Sequence, residues 1–64
     1  MQPNKIRALM VEKGIKQADI ARDLGINLVS VHGTIYGKWR SRRVAREIAA
    51  RLDMPVEKLF PYAS

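Results

Sequence analysis

Gly25 constrains this chain more than any other residue, because it separates two short segments whose apolar side chains recur at helical spacing. Upstream, Gln17-Ala18-Asp19-Ile20-Ala21-Arg22-Asp23-Leu24 sets Ile20, Ala21 and Leu24 on one side at i, i+1 and i+4, the pattern of an amphipathic helix. A glycine directly after the last periodic residue can take the left-handed conformation that closes a helix without a Cβ penalty. Ile26 is an apolar residue inside the turn, placed to fill the space between two helices. Asn27 is a good N-cap, so a second helix is predicted from Leu28 to Tyr36, stopping at Gly37.

At about 100° per residue, Leu28, Val31 and Ile35 fall together with Thr34 at the edge, while Val29, His32, Gly33 and Tyr36 fall opposite. The first set is expected to pack and the second to face outward. Ala21 is small enough to let the second helix cross the first closely. This is the geometry of a helix-turn-helix, whose second helix is free to enter a DNA major groove.

The flanking sequence supplies the scaffold. Pro3 suits a first helical turn, and Ile6, Leu9 and Met10 give the next helix its core face, closed by Lys13 and Gly14. Ile15 is expected between the first two helices; Lys16 is a poor N-cap for the helix that follows. Ser41 caps a predicted helix to Leu52 with Val44, Ala45, Ile48, Ala49 and Leu52 inward and a Glu47–Arg51 pair at i, i+4. Asp53-Met54-Pro55 marks a turn with Pro55 at a first helical position. Val56, Leu59 and Phe60 then form one helical turn over the core, ended by Pro61, with Tyr62-Ala63-Ser64 as a tail. The expected class is all-α, a single domain over residues 1–64 built from five helices.

Composition narrows the partners. Sixty-four residues lie near the lower limit for a core without staples, and the absence of cysteine removes disulfides and thiolate metal sites, which fits a reducing, cytoplasmic location. No apolar run approaches the ~20 residues that span a bilayer, and Met1-Gln2-Pro3-Asn4 begins no signal peptide. The net charge of +6 and pI near 10.4 call for a polyanion. Lys38, Arg40, Arg42, Arg43 and Arg46 lie within nine residues that contain no acidic side chain. Those arginines cluster at one end of their helix instead of lining a face, which disfavours a membrane surface.

Two arginines in the first turn of a helix oppose its dipole, an arrangement that a phosphate bound by backbone N–H groups, the Ser41 hydroxyl, Arg42 and Arg43 would reverse. The alternative is a solvated surface with the arginines pointing away. Gln17, at the start of its helix, is placed for a phosphate contact. On the outward face Ser30 and His32 are candidates for base edges, Val29 for a thymine methyl and Tyr36 for a phosphate. Gly33 costs about 1 kcal/mol relative to alanine inside a helix, explained either by close approach to DNA or by simple tolerance. Asn27 is a cap first and a DNA contact second. Trp39 either packs over the core edge or lays its indole N–H on a phosphate; Lys38 and Arg40 flank it. No metal site is expected, since His32 has no second histidine or cysteine beside it. One histidine, no glycine-rich phosphate loop and little room for a pocket argue against an enzyme or a cofactor.

Gln17, Ala21, Gly25, Ile26, Val31 and Ile35 stand where Cro/repressor-type helix-turn-helix proteins have their glutamine, alanine, glycine and apolar positions. Gly37-Lys38-Trp39-Arg40-Ser41-Arg42-Arg43-Val44, Ile48-Ala49 and Pro55-Val56-Glu57-Lys58-Leu59-Phe60-Pro61 extend the likeness over nearly the whole chain, which resembles the Ner-like regulators of Mu-type phages. Trp39 departs from that pattern, which more often has a small residue there. The resemblance implies a compact lambda-repressor-like domain and a transcriptional repressor, phage or prophage in kind, acting by promoter occupancy. Its partner would be double-stranded DNA, with a second copy on a two-fold symmetric operator left open. The outward face lacks the Gln, Arg or Lys common in repressors, so phosphate contacts and DNA shape are expected to carry much of the affinity. The rival is an antitoxin- or antirepressor-type protein-interaction module sharing the same fold.

Overall fold

The computed structural model describes residues 1–63. Five α-helices follow one another, α1 (Pro3–Glu12), α2 (Gln17–Leu24), α3 (Leu28–Ile35), α4 (Arg42–Leu52) and α5 (Val56–Leu59), and a 3-10 turn at Pro61–Ala63 follows them. The class is all-α, with no strand among the described residues. No described helix is long and apolar enough to cross a membrane.

The glycine turn forms as its local chemistry requires. Gly25 takes φ +66°, and the Ile26 N–H donates back to the Ala21 carbonyl at 2.9 Å, so the last carbonyls of α2 are satisfied. Ala21 is buried where α2 meets α3, and Ile26 packs partly against the core. α4 is the other fixed element. Val44, Ala45, Ile48, Ala49 and Leu52 are all buried, against Ile6 and Met10 of α1, Ile20 of α2 and Val31 and Ile35 of α3. The Ser41 hydroxyl accepts from the Val44 N–H at 3.2 Å. At the far end Asp53 adopts the left-handed conformation, and Lys13 Nζ donates to the Leu52 carbonyl at 2.8 Å.

Polar contacts tie α4 to α2. Arg51 holds Asp23 at 2.7 Å and Glu47 at 2.8 Å, while Arg22 reaches Asp19 at 3.3 Å and Asp23 at 3.4 Å. Three of the six acidic side chains are thereby matched with arginine on this side of the molecule.

Four details differ from the sequence reading. Tyr62 and Ala63 are not a tail: the 3-10 turn buries Ala63 and packs Tyr62 on the core, its ring 6.0 Å from Phe60 and 5.6 Å from the Arg40 guanidinium. Ser64 lies outside the described residues. Pro55 occupies the N-cap of α5, one place before the first helical position. Thr34, expected at an edge, is buried because its hydroxyl donates to the Ser30 carbonyl at 2.8 Å and leaves its methyl for the core. Leu28, expected to pack, is 49% exposed; it begins α3 at the edge of an open groove between α1 and α2, which covers it only in part.

Candidate nucleic-acid interface

α3 offers its outer side to solvent. Val29 is 61% exposed, and His32 and Tyr36 are exposed beside it with ring centroids 4.6 Å apart. The face is braced at both ends by its neighbours. Gln17 Oε1, on the first residue of α2, lies 3.2 Å from His32 Nδ1, and Arg7 of α1 donates to the Tyr36 hydroxyl at 2.9 Å. Gln17, His32 and Tyr36 are thus brought to one surface. Arg7 escaped the sequence reading, since nothing in its own segment marks a contact to a residue so far along the chain.

Gly33 does not face outward. The connection after α3 turns at Gly37, with φ +77°, and returns Trp39 across the helix. A Cβ on Gly33 would lie 2.5 Å from the indole Nε1 and 2.6 Å from Cε2. Close approach is therefore the reason for the glycine, but what approaches is Trp39. The indole N–H donates to the Ser30 carbonyl at 3.3 Å, and so is already engaged within the chain; the ring stays 42% exposed. Lys38 Nζ lies 5.7 Å from that ring, and its N–H donates to the Gly33 carbonyl at 2.8 Å. Ser30, half-buried on this flank, is partly screened by the same side chain.

The other expected contacts divide. Asn27 sits at the N-cap of α3 in extended conformation, yet its side chain makes no cap bond, so it is exposed with its amide free to act outward. Arg43 donates to the Leu24 carbonyl at 3.1 Å, placing its charge at the negative end of α2. That contact removes much of the oddity of an arginine in the first turn of α4. Arg42 has no such partner among the described residues and is exposed. Arg40 turns to Tyr62, away from the company of the others. Burial pushes the Tyr62 hydroxyl above its ordinary pKa and Arg40 pulls it back.

The charged side chains of the chain segment that forms this surface are basic only. No acidic side chain occurs between Asp23 and Glu47, a stretch containing all of α3 and the connection to α4. Beside the leading end of α3, Arg7, Met10, Val11, Ile15, Lys16, Gln17, Ala18 and Leu28 line an open groove of about 360 Å³. An exposed helix that carries no carboxylate of its own and is followed by a basic connection can lie against a polyanion without like-charge repulsion from that segment. Among the described residues no group of three or more His, Cys, Asp or Glu is placed to hold a metal ion. No protein-family model, curated protein or solved structure matches this chain.

Proposed function

We propose that the chain is a sequence-specific, double-stranded DNA-binding transcriptional regulator with a lambda-repressor-like helix-turn-helix, in which α3 enters the major groove. The observation that carries this reading is the outer face of α3, exposed at Val29, His32 and Tyr36 and set in an acid-free stretch of sequence that continues through Lys38 and the exposed Arg42. Gln17 and Asn27 are placed for phosphates, as is the start of α4 through Arg42 and the Ser41 hydroxyl. The repressor role and promoter occupancy come from the likeness to Ner-like regulators.

Selection of bound sequences from random duplex DNA tests the reading. A recovered consensus, two-fold symmetric if two copies bind, supports it; no enrichment overturns it. Arg42→Ala should lower the slope of log K against log salt by about one phosphate contact. Arg43→Ala is a poorer probe, because it also removes the bond to Leu24. The rival protein-interaction module draws on the groove beside Leu28, where Val11 is 75% exposed. Stoichiometric co-purification with another protein, without sequence enrichment, would select it.

A further inference from the structure

α3 contains no Arg, Lys, Asn, Gln, Asp or Glu from Leu28 to Ile35, so it lacks the side chains that read bases through paired hydrogen bonds. Its exposed polar tips are partly engaged already, His32 with Gln17 and the Tyr36 oxygen with Arg7. Ser30 is half-buried beside Trp39. At the leading end, where a recognition helix meets base edges, two aliphatic side chains stand in solvent instead: Val29 at 61% and Leu28 at 49% exposure. A surface valine gains nothing for the helix, since straight-chain polar residues are better helix formers.

Resting on the DNA-binding reading above, we propose that Val29, with Leu28 beside it, recognises C5-methyl groups in the major groove. The C5-methyl is the apolar group that a base pair displays there, and thymine carries it. 5-Methylcytosine presents the same methyl on the same ring carbon, so both bases satisfy the site. Charge selects DNA over an apolar protein partner as the occupant: the edge lies in the acid-free stretch between Asp23 and Glu47, with Arg7 and Lys16 lining the adjoining groove. The flanking cations would hold phosphates while the aliphatic edge is pressed onto the methyls. Dehydrating one methyl favours binding about fourfold, the partition gain of one buried CH₂.

The test uses the full chain and the consensus duplex recovered by selection, remade one position at a time. Replacing thymine by deoxyuridine removes only the methyl and should weaken binding about fourfold at each contacted position. Replacing the T·A pair by C·G should weaken it at least as much. Replacing it by 5-methylcytosine·G should recover affinity over C·G, which assigns both bases; without recovery the site reads thymine alone. Val29→Ala should reduce the thymine-to-uracil ratio to below about twofold, with helicity and salt slope kept. Uracil binding as tightly as thymine everywhere overturns the inference and leaves the DNA-binding reading intact. An unchanged ratio in Val29→Ala also overturns it, because the discrimination then belongs to DNA shape. Loss of self-association in Val29→Ala without loss of thymine discrimination would assign the edge to a second copy. Failure of the selection to enrich any sequence, with no salt-dependent duplex binding, removes both readings together.

Discussion

α3 and α4 lie side by side and are stabilised in opposite ways. Nine of the eleven residues of α4 are Arg, Ala, Glu or Leu, which favour helix, and only Val44 and Ile48 are β-branched. It has a side-chain cap at Ser41, an internal Glu47–Arg51 pair and five buried apolar residues. α3 reads Leu-Val-Ser-Val-His-Gly-Thr-Ile, rich in β-branched residues and interrupted by glycine, and its N-cap side chain makes no cap bond. What keeps it helical is its surroundings: Val31, Thr34 and Ile35 beneath, Trp39 across one flank, Gln17 and Arg7 at the other. Helices owe most of their stability to tertiary packing, and α3 is the extreme case here. On its outer face His32 and Tyr36 are held by Gln17 and Arg7, whereas Val29 serves neither propensity nor packing.

The contrast is sharpest in substitution. Ile48 is fully buried at the centre of α4's apolar face, and Ile48→Ala should cost about 2–5 kcal/mol, enough to unfold much of so small a domain in a urea titration. Val29→Ala, a similar truncation on α3, should change stability by less than about 0.5 kcal/mol. Comparable losses at the two positions would mean that the outer face of α3 is structural.

The two N-caps separate the helices again. Ser41→Ala should cost about 1 kcal/mol, because the Val44 N–H loses its acceptor. Asn27→Ala should cost half of that or less, roughly the range of surface substitutions, since no cap bond is lost. Paired urea midpoints at constant m-value decide the matter; an equal cost at Asn27 would show that its amide does cap α3 in solution.

These differences mark where local sequence is informative. The bounds of α4 follow from Ser41 and a regular apolar face, and the end of α2 from Gly25, because each signal acts within a turn or two of its own helix. The outward position of Val29, His32 and Tyr36 follows from periodicity. Gly33 breaks that rule: its face was assigned by angle, yet Trp39 returns over it by way of Gly37, a path that helical spacing does not encode. The bonds from Arg7 to Tyr36 and from Arg43 to Leu24 were invisible for the same reason, since they join segments that meet only after folding. Ala63 was hidden differently: three residues after Pro61 are too few to show any periodicity.

The Gly33–Trp39 contact can be isolated. In a Trp39→Ala background, Gly33→Ala meets no indole and should stabilise the protein by about 1 kcal/mol through helix propensity. With Trp39 present, the new methyl expels the indole, cancelling that gain through lost packing and the lost bond to Ser30. The double-mutant cycle should show coupling on the order of 1 kcal/mol. Emission from Trp39, the single tryptophan, should move to the red in Gly33→Ala as the ring enters water. Additive energies and an unmoved spectrum would mean that the indole does not cover Gly33.

The smallest effect belongs to the α2–α4 seam. The Arg51 guanidinium, hydrogen-bonded to Asp23 and assisted by the charge of Arg22, holds the Asp23 carboxyl below its ordinary value of 3.8, against a weaker opposing effect of desolvation. A carboxyl whose pKa is lowered by folding binds fewer protons in the folded chain. Its stabilising contribution is therefore complete above about pH 4 and is lost as pH falls through the folded-state value. Melting temperatures of the wild type and Asp23→Asn should differ slightly near neutrality and draw together as pH drops from about 5 to about 2. Because the pair is exposed, salt should narrow the neutral-pH gap by screening. Parallel curves across the whole range would show that α4 grips α2 through Ile20, Ile48 and Leu52 alone, and the polar half of the contrast with α3 would then be lost.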